Sequence, residues 1–163
     1  MIRVYIPRDS AARSVGADEV ASAIEAGLRD RGADAEIVRN GSRGLLWLES
    51  LVEVETAAGR IGYGPVAPSD VPGLLEAGLV NGAEHPLYLG LVDQIEWLAS
   101  QQRVTFARVG VIDPLDLDAY RAHGGLRGLA RAVALPQEEV VADVLASGLR
   151  GRGGAGFPAG IKW

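Results

Sequence analysis

The chain has 163 residues, 48% hydrophobic and 23% charged, proportions that exclude a disordered or collagen-like polymer, and no apolar run approaches the roughly 20 residues of a membrane span. It contains no cysteine, which excludes a disulfide, a dithiol redox centre and any all-cysteine zinc or iron-sulfur site among these residues. The formal net charge of -5 hides a division: residues 1–120 carry 10 basic and 18 acidic side chains, residues 121–163 carry 6 and 3. An acidic body argues against a nucleic-acid surface, and the positive end suits an anionic ligand.

Ile2 to Ile6 alternates as a strand does, so the N-terminus reads as structure and not as a signal peptide, which implies a cytoplasmic protein. From Ala17 to Arg31, Val20, Ala21, Ile24 and Leu28 recur at helical spacing, with Asp18 and Glu19 in the first turn and Gly32 as the stop. Ala35 to Arg39 completes a β-α-β unit, whose strands run parallel through a right-handed crossover. Leu51 to Glu55 alternates, Ala57 to Arg60 turns the chain, and Ile61 to Gly64 returns as a hairpin. In that hairpin Glu53 and Glu55 read as a solvated strand face. Ser69 caps a helix to about Leu79. β-α-β, hairpin, helix is the order of a thioredoxin-like domain, placed at residues 1–82.

Residues 83–135 read as a helical connector, with an amphipathic helix marked by Leu91, Val92, Ile95, Leu98 and Ala99, since nothing there alternates long enough for a sheet. Trp47 and Trp97 read as core or interface anchors. His85 and His123 lack any second ligand at metal spacing, and Asp113, Asp116 and Asp118 read as helix-start charges, so no metal site is expected. No catalytic acid or base stands out. Pro136 opens a last helix whose apolar face holds Val140, Val141, Val144 and Leu145, ending at Ser147-Gly148.

The segment after it asks for chemistry. Gly151, Gly153 and Gly156 fit G-x-G-x-x-G, where absent side chains let backbone amides approach a phosphate. A helix precedes the motif where a dinucleotide fold has a strand, and the Gly-Lys-Ser/Thr of a Walker loop is lacking. Arg150, Arg152, Phe157 and Lys162 would supply cations and a ring face. The pattern alone leaves a phosphate loop and a frayed terminus as alternatives.

The run Ser147-Gly148-Leu149-Arg150-Gly151-Arg152-Gly153-Gly154-Ala155-Gly156-Phe157-Pro158-Ala159-Gly160-Ile161-Lys162-Trp163 resembles the signature of the flavoprotein subunit of NADH:quinone oxidoreductase and its soluble relatives. It departs where Ala159 replaces a usual threonine and Ile161 a usual leucine. Val38-Arg39-Asn40-Gly41-Ser42-Arg43-Gly44-Leu45 and Phe106-Ala107-Arg108-Val109-Gly110 resemble the β subunit, or diaphorase, of soluble molybdenum-dependent NAD formate dehydrogenases. The resemblance implies an α/β chain: a thioredoxin-like domain that has lost its cluster cysteines, a helical linker, and from residue 136 the truncated start of an FMN/NAD-binding domain. Ser42 and Leu46 stand where a 2Fe-2S ferredoxin-like member would have cysteines.

By the same resemblance Gly151, Arg152 and Gly153 lie along FMN, Gly154, Ala155, Gly156 and Phe157 face NAD(H), and Lys162 neutralises phosphate. A 4Fe-4S cluster would belong to sequence after Trp163. The implied partners are a ferredoxin-like γ subunit and a molybdenum/iron-sulfur α subunit, with formate oxidised and NAD reduced. Two alternatives stand beside this: the diaphorase of an NAD-reducing hydrogenase, and a non-catalytic docking adaptor.

Overall fold

The computed structural model describes residues 1–163, which form two compact units, Met1–Ala119 and Tyr120–Trp163. The first holds β1 (Ile2–Tyr5), α1 (Ser10–Ser14), α2 (Ala17–Asp30), β2 (Ala35–Val38), β3 (Val52–Thr56), β4 (Gly59–Tyr63), α3 (Val71–Ala77), β5 (Tyr88–Leu91) and α4 (Glu96–Ala99). The sheet order is β2-β1-β3-β4-β5; β1 and β2 are parallel and the other pairs antiparallel. This is the thioredoxin-like arrangement expected from the sequence. No helix is long and apolar enough to cross a membrane.

One face of the sheet carries the apolar core. Val4, Val52, Val54, Ile61 and Tyr63 pack there against Val20, Ile24 and Leu28 of α2 and Val71 and Leu74 of α3, all buried. The helical spacing of α2 and the period-two alternation of β1 and β3 aim these side chains at one another. Gly32 ends α2 at φ +64, a conformation that glycine adopts without penalty. Tyr63 places its hydroxyl within the unit, donating to the Ala83 carbonyl at 2.7 Å, and burial pushes its phenol up to about 12.

Several sequence expectations need correction. The hairpin turns on Ala57 and Ala58 alone, because Thr56 and Gly59 already pair and the Thr56 hydroxyl donates to the Gly59 carbonyl at 2.7 Å. Ser69 does not cap α3; the Asp70 carboxylate accepts from the Ala67 N–H at 2.9 Å instead. Residues 83–135 are not uniformly helical. Tyr88–Leu91 adds a fifth strand beside β4, hidden from periodicity by its four-residue length and by Gly90 at φ +78. The amphipathic helix contracts to α4, after a 3-10 turn at Val92–Gln94. Short α1 has no periodic signal of its own; the Asp9 carboxylate caps it by accepting from the Ala11 and Ala12 N–H groups.

The largest departure lies on the other face of the sheet. Glu53 is not solvated: it is 1% exposed. Its two oxygens receive Nε and Nη2 of Arg43 at 2.7 and 2.8 Å, and Nη1 of Arg60 at 3.2 Å. Arg60 also donates to the carbonyls of Gly110 and Val111 and lies 3.4 Å over the Tyr5 ring. The Asn40 side chain donates to the same Gly110 carbonyl at 2.7 Å, and Arg103 donates to the Arg43 carbonyl at 2.6 Å. The segment around Gly110 therefore roofs the sheet over Glu53, which makes the carboxylate buried and the two guanidiniums necessary. A Cβ at Gly110, whose φ is +79, would run into the Arg43 side chain.

Removing one member of such a cluster strands a buried charge, at a typical cost of about 3 to 5 kcal/mol. Urea unfolding of Glu53→Ala is expected to show a loss of that order. Glu55→Ala, at a half-exposed neighbour on the same strand, is expected to lose about 1 kcal/mol or less.

Candidate functional site

Two segments carry the residues singled out for chemistry, and each belongs to a different unit. In the second unit α6 (Arg127–Ala134) and α7 (Gln137–Ala146) lead to the glycine segment, which ends in α8 (Ala159–Lys162); α5 (Leu117–Ala122) spans the division between units. Gly148 at φ +68 ends the last turn of α7, and the Leu149 N–H donates to the Ser147 hydroxyl.

The glycine segment is a closed loop with a defined neck. The Gly151 N–H donates to the Phe157 carbonyl at 2.8 Å and the Ala159 N–H to the Leu149 carbonyl at 2.8 Å, so Arg150 and Pro158 face each other as a β-bridge. The Arg150 side chain reinforces the neck, its Nε donating to the Gly156 carbonyl at 2.6 Å. At the tip the Gly156 N–H donates to the Gly153 carbonyl at 3.1 Å, and Gly156 sits at φ +53. The N–H groups of Arg152, Gly153, Gly154 and Ala155 make no hydrogen bond within the chain. Cβ atoms built at Gly153 or Gly154 would meet nothing within 4 Å. The loop is thus tied at its base and presents consecutive free donors to solvent.

The other residues named for this site gather around the base. Phe157 is 45% exposed, and the Lys162 ammonium lies 5.8 Å from its ring centroid. The same ammonium lies 3.5 Å from where a Cβ at Gly151 would stand, beside the loop backbone. Gly160 fixes α8 against α7: a Cβ there would fall 2.8 Å from the Leu145 backbone nitrogen. Arg150 and Gly160 are positioning residues whose roles the motif does not reveal. Adjacency to the glycines marks Arg150, whereas nothing local marks Gly160, whose partner lies a helix away.

The second segment is the loop after β2, which holds Ser42 and Leu46. The Ser42 N–H donates to Asp9 at 2.9 Å, its hydroxyl accepts from the Gly44 N–H at 3.0 Å, and Leu46 is 62% exposed. A hydroxyl and an aliphatic chain offer no thiolate to iron. Nearby Glu49 is 8% exposed, with Oε2 accepting from the Leu51 N–H at 3.0 Å and Oε1 without a partner. Burial, with the negative charges of Asp9 and Glu53, pushes its carboxyl up against the opposing effect of nearby Ser42 and of the Leu51 N–H.

The remaining candidates keep ordinary roles. The ring nitrogen Nδ1 of His85 accepts from the Leu87 N–H at 3.1 Å in a turn, and Asp113 and Asp116 accept backbone N–H groups at local turns. Trp47 and Trp97 are not core residues, being 59% and 54% exposed.

No family model matches the chain. Stretches of it are similar to three known oxidoreductase components. It is 52% identical over 63 residues to HndC, a component of the NADP-reducing hydrogenase of Solidesulfovibrio fructosivorans, covering 39% of this chain and 13% of that one. It is 57% identical over 47 residues to an NADH-quinone oxidoreductase component of Streptomyces coelicolor (29% and 10%), and 47% identical over 51 residues to the same component of the Escherichia coli enzyme (31% and 12%). The matches thus span about an eighth or less of these relatives' lengths. Among solved structures, a thioredoxin-like 2Fe-2S ferredoxin of Aquifex aeolicus, as a cysteine-to-serine variant, overlays 55% of this chain and 99% of its own at 24% identity and a TM-score of 0.46.

Because the Glu49 carboxyl is raised in the fold, its ionisation weakens the folded state, and stability from this group falls as pH rises through the ordinary carboxylate range to the raised value. Glu49→Gln is expected to be more stable than the parent at neutral pH, with the difference vanishing below about pH 4. Urea midpoints across that range check it.

Proposed function

We propose that the chain is the front of a diaphorase-type flavoprotein subunit, which passes electrons between NAD(H) and iron-sulfur clusters through FMN. The observation that carries this reading is the loop at 151–156, tied at its neck with consecutive free amides flanked by Arg152 and Lys162. The similarity to components of hydrogen- and NADH-linked oxidoreductases supports it.

The residues present suit the group. Free N–H donors and two cations match a phosphate, while the half-exposed Phe157 offers a ring face to a nucleotide base or nicotinamide. In this reading Gly151, Arg152 and Gly153 run along FMN, Gly154, Ala155, Gly156 and Phe157 face the nicotinamide nucleotide, and Lys162 neutralises phosphate between them. Bound FMN would exchange a hydride with nicotinamide and single electrons with clusters. The chain's own task is orientation: the Arg150–Gly156 bond and the Gly160–Leu145 contact hold the donors in place. No side chain here need move a proton in the main step.

The second unit is poor in burial, Gly125 and Gly160 being its buried residues, with Leu129, Val133, Leu149 and Ile161 exposed. This suits the edge of a larger domain, so residues 136–163 are assigned to the start of an FMN/NAD-binding domain. The first unit, lacking thiolates, serves in docking or structure. Formate oxidation is the reading we favour for the whole complex. Its two resembling stretches, 38–45 and 106–110, meet in the fold where Asn40 bonds Gly110. The hydrogenase-linked reading is favoured by the relative from Solidesulfovibrio fructosivorans. Copurification of the native complex with a molybdenum/iron-sulfur α subunit and a ferredoxin-like γ subunit would decide in favour of formate, and copurification with a hydrogenase would decide in favour of hydrogen.

Two outcomes are expected. The 163-residue chain alone binds FMN with Kd well above about 1 µM by calorimetry, because residues 152–155 of the loop lie exposed on a unit that buries little; submicromolar affinity would contradict this. In the complete subunit Lys162→Ala weakens FMN or NADH binding by about tenfold, the scale of one charged hydrogen bond, and unchanged affinity for both would remove Lys162 from the site.

A further inference from the structure

The clamp on Glu53 is not electrically neutral. Arg43 and Arg60 bring two positive charges to one buried carboxylate. Arg103 adds a further guanidinium, whose hydrogen bonds go to neutral oxygens: Gln101 Oε1 at 2.9 Å and the Arg43 carbonyl at 2.6 Å. The acid set beside this excess is Asp93, 3.6 Å from Arg43 Nη1 and so beyond hydrogen-bond length, on a side chain that is 90% exposed. Water screens most of its attraction. Arg43, Arg103 and Asp93 line one groove of about 340 Å³, walled by Leu98, Val109 and Val111. Arg43 directs Nε and Nη2 at Glu53, and Arg103 uses Nε and Nη2 as above, so Nη1 of each makes no hydrogen bond within the chain.

We propose that this groove binds a small organic monocarboxylate, with its two oxygens on the Nη1 atoms of Arg43 and Arg103 and its aliphatic chain along Leu98, Val109 and Val111. Guanidinium nitrogens match carboxylate oxygens in geometry and charge. The buried excess of positive charge favours an anion, and the apolar walls favour one with a hydrocarbon body. Inorganic phosphate lacks that body and meets stronger repulsion from Asp93. The groove is of the size that takes small ligands, about 300 to 1,000 Å³. Asp93 opposes the bound carboxylate, which gives the site a signature: removing that acid tightens binding. The inference does not depend on the glycine loop or on flavin, since all the lining residues belong to the first unit.

The test titrates hexanoate into the full-length polypeptide at low salt and follows saturation transfer to its methyl and methylene protons by NMR. The expected result is saturable binding at one site with Kd on the order of 1 mM, the range of a ligand of this size. Asp93→Asn should tighten it about two- to fivefold, and Arg103→Gln should weaken it at least about tenfold. Hexan-1-ol, which keeps the chain without the charge, and inorganic phosphate, which keeps a charge without the chain, should each bind at least about tenfold more weakly. The urea midpoint checks the fold of both variants; should Arg103→Gln be perturbed, the exposed Asp93→Asn and the hexan-1-ol comparison decide. No saturation by about 20 mM, equal binding of hexan-1-ol, phosphate competing as well as hexanoate, or an affinity unchanged by Asp93→Asn would each overturn the proposal. So would binding that Lys162→Ala abolishes, which would place the anion at the glycine loop.

Discussion

Glu53 is the constraint on which the first unit is built. A carboxyl that is 1% exposed has given up its hydration, and Arg43 and Arg60 replace it with hydrogen bonds. Each guanidinium brings more chain with it. Arg43 fixes the loop after β2, and Arg60 holds the backbone of Gly110 and Val111. One acid on the central strand thus ties two loops to the sheet, alongside the buried Leu45 and Ile112 that those segments contribute.

That polar clamp lies next to the loop that holds Ser42 and Leu46. Here the loop is organised by hydrogen bonds: Asp9 to the Ser42 N–H, Ser42 to Gly44, and Glu49 to Leu51. The exposed Leu46 and the Trp47–Trp97 pair sit on the same loop and on neighbouring α4. The result is a surface of exposed indoles beside a hydrogen-bonded polar loop.

The sheet and α2 are legible in the sequence because their apolar residues repeat with the periods of strand and helix. The burial of Glu53 is not, because alternation distinguishes two faces without saying whether a distant segment covers the second. Only the backbone at Gly110 and Val111, held by Asn40 and Arg60 at sequence separations of 50 or more, turns that face inward. β5 is hidden because four residues interrupted by glycine give no period. The glycine motif is readable from residue type, and the neck formed by Arg150 with Gly156 and by Gly151 with Phe157 is not, since a short β-bridge leaves no pattern.

The second unit buries little besides Gly125 and Gly160, yet its loop is closely defined by backbone bonds. A binding loop on such a thin platform makes physical sense where further polypeptide completes the pocket. The direct measurement is to isolate the native polypeptide, determine its intact mass under denaturing conditions and assay the flavin released. The account predicts a mass several times 17.1 kDa with about one FMN per polypeptide. A mass of 17.1 kDa without flavin would contradict it.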